Sequence, residues 1–124
     1  SFSPVTEWAC HGDGSLIVVP EFLDRLEELR RRCGFALLLS SGYRSPAYNL
    51  TVSDSGDSGP HTTGRAADIR VYGSQALIVI TVAAQLGFTG FGVKAHGHVM
   101  GRYVHLDDLE DGPDVPRPWL WSYP

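Results

Sequence analysis

The chain has 124 residues, of which 43% are hydrophobic and 19% charged, with a formal net charge of −4. A chain of this length is one domain able to bury roughly two thirds of its unfolded surface, and its composition is that of a globular protein. The acidic balance leaves no basic footprint for nucleic acid. No apolar run approaches the roughly 20 residues of a membrane span, and Ser1-Phe2-Ser3-Pro4 shows neither the charged nor the apolar region of a secretory signal.

Residues 1–19 read as a loop, with a brief helical turn near Thr6-Glu7-Trp8 and an extended piece at Leu16-Ile17-Val18-Val19. Trp8 is expected as a core anchor. Pro20 opens the first clear helix, because proline is tolerated at the first helical position. Phe22, Leu23, Leu26, Leu29 and Cys33 then recur at helical spacing, with charges on the other face. Acidic residues lead and arginines trail, which suits the helix dipole, and Gly34 is the stop signal. Arg30-Arg31-Arg32 reads as a solvated helix end. The two cysteines, Cys10 and Cys33, fit either a bridge or two separate thiols.

Phe35 to Ser40 is a continuous apolar run between turn signals, predicting a buried strand. It empties into Ser41-Gly42-Tyr43-Arg44-Ser45-Pro46, where Arg44 is placed to bind a carboxylate in a cleft. Residues 50–60 are polar and glycine-rich, a flexible loop. In Pro60-His61-Thr62-Thr63-Gly64-Arg65-Ala66-Ala67-Asp68, a loop histidine and a strand-entry aspartate converge only if the chain turns at Gly64. A strand follows over Ala66–Tyr72, then a helix over about Ser74–Leu86, with Ser74 as N-cap and Gly87 as C-cap. That helix is apolar nearly all round, so it is expected to be packed on more than one side.

From Phe88 to Asp108 the pattern predicts two antiparallel strands joined by a turn around His96–Gly101. Side-chain alternation puts Tyr103, His105 and Asp107 on one face and Val104 and Leu106 on the other. The tail from Pro113 to Pro124 holds four of the eight prolines. It is expected to lack regular structure, with Trp119 and Trp121 pinning it to the body. The sum is a single α+β domain of helices packed on an antiparallel sheet.

Imidazole and carboxylate together are zinc-type ligands, and His61 and Asp68 need a third partner, for which His105 is the strongest candidate. Two His and one Asp with a fourth position left to water is the open arrangement of catalytic zinc. Asp107 shares the strand face with His105 and is a candidate either for general base or for orienting His105. His98 on the preceding turn is the second candidate base, and Tyr103 a donor to an oxyanion.

Ser41-Gly42-Tyr43-Arg44-Ser45, His61-x-x-Gly64-x-Ala66-Ala67-Asp68, Gly87-Phe88-Thr89-Gly90-Phe91-Gly92 and Val104-His105-Leu106-Asp107 together resemble the zinc D-Ala-D-Ala carboxypeptidase family of peptidoglycan peptidases. The resemblance runs from about Phe2 to Tyr123. It implies Zn2+ held by His61, Asp68 and His105, with Arg44 on the substrate carboxylate, and the antiparallel fold shared with the hedgehog signalling domain. Two positions depart from the family pattern. Gly59 stands where a serine is usual, and Met100 to Tyr103 occupy the positions before the last zinc ligand where the family commonly places a Glu or His base. The expectation is a monomeric zinc peptidase cutting peptidoglycan stem peptides, as D,D-carboxypeptidase or endopeptidase, acting at the cell wall and fitting a phage lysin or a bacterial enzyme. The alternative is a catalytically silent zinc module that binds wall peptide or a protein partner.

Overall fold

The computed structural model describes residues 8, 10, 12, 14, 17, 19–52 and 59–124. The expected helical turn near Thr6, the extended piece before Val19 and most of the polar loop after Leu50 lie outside the described residues. Helix α1 spans Pro20–Cys33, with proline in its first turn and Gly34 closing it in the left-handed conformation (φ 75°). It buries Phe22, Leu26 and Leu29. Its outer face is laced by pairs of Arg30 with Glu27 (3.4 Å) and of Arg31 and Arg32 with Glu28.

Five strands form one sheet in the order β1-β2-β4-β3-β5: β1 Leu39–Ser41, β2 Ala66–Ile69, β3 Gly90–Lys94, β4 Tyr103–Asp107 and β5 Trp119–Ser122. The β1/β2, β2/β4 and β3/β4 pairs are antiparallel, and β5 runs parallel to β3. Helix α3, Gly73–Gln85, packs with α1 on one face of the sheet. The core is the layer between them: Phe22, Leu26 and Leu29 of α1 and Val79 and Ala83 of α3 meet Ala67, Ile69, Phe91, Val104 and Leu106 of the sheet. Trp8 is fully buried and packs at a tilt against Phe22 (5.6 Å), which meets Phe88 edge-on (5.8 Å). Asp108, buried by its side chain, ties this layer to the sheet through Arg25 (2.7 Å) and Arg65 (2.8 Å). No helix is long and apolar enough to cross a membrane.

Four expectations are corrected. The apolar run after Phe35 is not a buried strand. Only Leu39–Ser41 pair, at the sheet edge, and Leu38 is 57% exposed while Leu37 is 2% exposed. Apolar runs do not distinguish edge from centre, because both pair through the same backbone groups. Helix α3 is covered on one side alone, so Leu77 and Ile78 face outward; its N-cap position is Tyr72 rather than Ser74. A short helix, α2 Pro46–Val52, takes in residues 50–52, the start of the span expected as a loop. Its signal was present in Ser45-Pro46, since the Ser45 hydroxyl accepts from the Tyr48 amide (3.2 Å) as a cap does. Finally, the tail contains β5. Its prolines at 113, 116 and 118 lie ahead of the strand, so Trp119–Ser122 keep the amides that pairing requires. Trp121 pins the tail; the Trp119 side chain is 54% exposed.

Cys10 and Cys33 are both free thiols. Cys10 is buried against Ser45, whose amide lies 3.4 Å from the sulfur, whereas Cys33 ends α1 and is half-buried. Thiol titration in denaturant without reductant is therefore expected to count two free thiols per chain, and reductant should leave the melting temperature unchanged. A count of zero would mean a bridge and a different N-terminal packing.

Candidate metal centre

The antiparallel register of β2 on β4 sets Asp68 directly opposite His105. Parity turns both side chains to the face of the sheet away from α1 and α3, while their neighbours Ala67, Ile69, Val104 and Leu106 enter the core. His61 arrives from a single 3₁₀ turn, Pro60–Thr63, ended by Gly64 at φ 76°. That turn is tied to the loop after β1, where the Arg44 amide donates to the His61 carbonyl (3.0 Å). The three side chains present ligand atoms that all lie within 4.8 Å of one another, and all three residues are buried. Asp68 Oδ1 is 3.2 Å from His61 Nε2 and 3.1 Å from His105 Nδ1.

Proton bookkeeping shows that a cation fits this group. His61 Nδ1 donates to the Gly42 carbonyl (2.7 Å), which only accepts, so that nitrogen carries a proton and Nε2 faces the Asp68 carboxylate. His105 is enclosed likewise, with Nε2 against Asp107 (2.8 Å) and Nδ1 against Asp68. Each ring thus has an acceptor at both nitrogens, which requires either a doubly protonated imidazolium or a cation in place of the inward protons. For His61 burial lowers the pKa, against the pull of Asp68, so the second proton is disfavoured at neutral pH. For His105 burial also lowers it, but hydrogen bonds to Asp107 and Asp68 outweigh burial and raise the net value. Burial would raise Asp68, yet the charge and hydrogen bonds of the two histidines hold it well below the usual carboxylate range. An ionised carboxylate between two imidazoles whose outer nitrogens are already engaged is the donor set of an open metal site.

Behind His105 lies a brace that sequence reasoning missed. Arg117 grips Asp107 through Nε (2.8 Å) and Nη2 (2.7 Å), and Asp107 is fully buried. Burial works to raise the Asp107 pKa, but hydrogen bonds from His105 and Arg117 take it down to about 2. Two glycines of β3 make room for the brace and for the tail. A Cβ at Gly90 would overlap the Asp107 carboxylate, and one at Gly92 would lie 2.5 Å from Trp121 Nε1. Trp121 accordingly lies against the His105 ring (5.1 Å), and the Arg117 guanidinium lies over the Trp121 ring (5.1 Å). Arg117 stands among prolines with no local pattern to mark it; only the parallel pairing of β5 with β3 brings it under Asp107.

The group opens into a cavity of about 420 Å³ lined by His61, Asp68 and His105 together with Arg44, Lys94, Tyr103, Trp121 and Tyr123. Arg44 reaches Asp68 Oδ2 (3.3 Å) and is steadied by Ser41 Oγ (3.1 Å). Burial raises the pKa of Tyr103, with the Asp68 charge adding to it, and burial likewise raises Tyr123, so both phenols are donors at neutral pH. Asp107 and His98 do not line this cavity. Asp107 is two strand residues, about 7 Å, along from His105, with its oxygens taken by His105, Arg117 and the Leu109 amide. His98 is exposed and its Nδ1 accepts from the Met100 amide (3.1 Å), capping the turn that leads into β4.

A family model described as Peptidase M15 matches residues 5–107, a span that contains Arg44, His61, Asp68, His105 and Asp107 and stops short of Arg117 and β5. No curated protein and no solved structure matches the chain.

The depressed Asp107 pKa gives a pH signature. A carboxylate with a lowered folded-state pKa stabilises the fold above its unfolded value, near 4, and that contribution is lost as pH falls toward about 2. Asp107→Asn leaves Arg117 without its charge partner and is expected to cost about 3–5 kcal/mol at pH 7. Urea unfolding at pH 7, 5, 4 and 3 should show that deficit shrinking as pH falls below 4. A deficit independent of pH would mean that the ion pair contributes nothing beyond shape.

Proposed function

Since the chain belongs to the Peptidase M15 family, a family of zinc-dependent metallopeptidases, we propose that it hydrolyses peptide bonds in the stem peptides of peptidoglycan. It would do so as a D,D-carboxypeptidase or endopeptidase, working as a monomer at the cell wall. The observation that carries this reading is the placement of Arg44, which touches Asp68 of the metal group on one side and lines the substrate-sized cavity on the other. A site that only stored a structural ion has no need of a guanidinium beside its open side.

Zn2+ held by His61, Asp68 and His105 would supply Lewis acidity toward a carbonyl oxygen and a bound water. Arg44 binds a substrate carboxylate through its two-pronged fork and so sets the distance from that terminus to the metal group. Tyr103 and Tyr123, protonated at neutral pH, donate to the oxygen on which negative charge grows. Asp107 and Arg117 hold the His105 ring in the orientation that turns Nδ1 toward Asp68. In this reading Asp107 positions His105 and is not the base, because its lone pairs are occupied and it does not line the cavity. His98 acts as a turn cap.

The second reading, a zinc module that binds wall peptide without cutting it, has one observation in its favour. Among the described residues, Asp68 is the only carboxylate that lines the cavity, so the wall is rich in donors and poor in proton acceptors.

Two measurements test these roles. Zinc analysis should find one equivalent per chain in the wild type and a large loss in His105→Ala; a full equivalent in that variant removes His105 from the site. Mass spectrometry of purified muropeptides should show chelator-sensitive loss of stem-peptide residues. Arg44→Lys should keep zinc and fold but lower kcat/KM about 10–100-fold, because an ammonium cannot reproduce the paired hydrogen bonds. Stoichiometric zinc with no product from any muropeptide would establish the silent module instead.

A further inference from the structure

The ten Lys and Arg side chains are divided unevenly over the molecule. Six serve carboxylates elsewhere: Arg25 and Arg65 hold Asp108, Arg30, Arg31 and Arg32 pair with Glu27 and Glu28, and Arg117 holds Asp107. The other four, Arg44, Arg70, Lys94 and Arg102, all line the metal cavity or the groove that adjoins it. Arg44 is engaged with Asp68; among the described residues, Arg70, Lys94 and Arg102 have no carboxylate partner. In a chain of net charge −4, the gathering of four cations on one side of one site is not a general solubility feature. Neighbouring like charges repel, and an arriving anion relieves that repulsion.

The groove has a volume of about 290 Å³ and shares Arg44, Asp68 and Tyr103 with the metal cavity. Arg70 follows β2 directly and, two residues beyond Asp68, takes the same side of the sheet. Its amide is fixed to the Leu38 carbonyl of the edge segment (2.8 Å). Arg102 leads into β4 and is held by Nε alone, which donates to the Gly97 carbonyl (3.0 Å), with its guanidinium 6.0 Å from the Tyr72 ring centre. Both residues line the groove, Arg70 from a fixed backbone and Arg102 from a guanidinium held at Nε. Ser40 and Ser41 add hydroxyls to its wall.

We propose that this groove is a second carboxylate subsite. The preferred substrate is a peptide whose leaving residue carries two carboxylates, one gripped by Arg44 beside the metal group and the other received between Arg70 and Arg102. The proposal rests on the peptidase reading for the orientation of the peptide; the groove's affinity for a carboxylate can be measured apart from turnover.

The test uses the zinc-loaded protein and short peptides that differ only at the residue bearing the free terminal carboxylate, glutamate against glutamine, in both D and L configurations. Affinity is read by calorimetry and cleavage by mass spectrometry. One charge-assisted hydrogen bond at a partly exposed site predicts about a tenfold preference for glutamate in one configuration. Raising salt from about 0.05 M to about 1 M should erode that preference, since the screening length falls from above 10 Å to about 3 Å. In the Arg70→Gln, Arg102→Gln double variant the preference should fall below about twofold, with an unchanged melting temperature as the control on folding, and Arg102→Lys should retain part of it. Equal binding of glutamate and glutamine peptides by the wild type, or a preference that survives the double variant, overturns the subsite. A preference that depends on Arg70 and Arg102 without cleavage of any peptide supports the subsite while removing the hydrolytic reading.

Discussion

Everything at this site depends on one ionised carboxylate enclosed by two imidazoles whose other nitrogens are already taken. Asp68 lies between His61 and His105, and each ring is committed at its far nitrogen, to the Gly42 carbonyl and to Asp107 respectively. A neutral imidazole has one proton to give, so two acceptors per ring leave a deficit of positive charge among buried side chains. Protons can fill that deficit only against the burial that lowers the His61 pKa. A divalent cation could fill it with the donors already aimed, which is why the same three residues read as candidate ligands rather than as a buried ion-pair network.

The rest of the molecule follows from holding those donors still. The sheet separates two environments by parity, with alternate residues of β2 and β4 entering the core under α1 and α3 while the intervening ones face the cavity. Such a separation needs a fixed register, because a slip of one residue would send His105 into the core and Val104 into the site. The β2/β4 pairing at the centre of the sheet supplies that register, flanked by β1 and β3. The tail then closes the site from below. β5 adds a parallel edge to β3, Trp121 covers the His105 ring, and Arg117 fixes the carboxylate behind it. Glycines at 90 and 92 are the counterpart in β3, leaving the space that Asp107 and Trp121 occupy.

Charge follows the same division of labour. Away from the cavity, arginines match Asp107, Asp108, Glu27 and Glu28, tying α1 to the sheet through Asp108 and bracing His105 through Asp107. Around the cavity the balance reverses, with guanidinium, ammonium and phenol groups facing, among the described residues, a single side-chain carboxylate that belongs to the metal group. A wall of donors beside an open metal group suits an anionic peptide and an oxygen that gains charge during reaction. This accords with membership of a metallopeptidase family and carries the reading toward acidic wall peptides.

The sequence by itself determined the residues that could form the metal group and most of the layer that supports them. His61, Asp68 and His105 were legible because ligand chemistry is a property of residue type, and the two-residue period of β4 placed Tyr103, His105 and Asp107 on one face. Helix α1 was legible for the same local reason, a 3.6-residue apolar stripe with proline before it and glycine after. What only the tertiary structure decided were the relations between segments distant in the chain. Whether a strand is an edge or a centre depends on its neighbours, so β1 and the outer face of α3 were misjudged from apolar content alone. Arg117 and Trp121 acquired their places from the parallel pairing of β5 with β3, a contact that no local pattern encodes. The likeliest base by strand parity, Asp107, proved to be saturated by an arginine ten residues on, because parity gives the face of a side chain but not what already occupies its lone pairs.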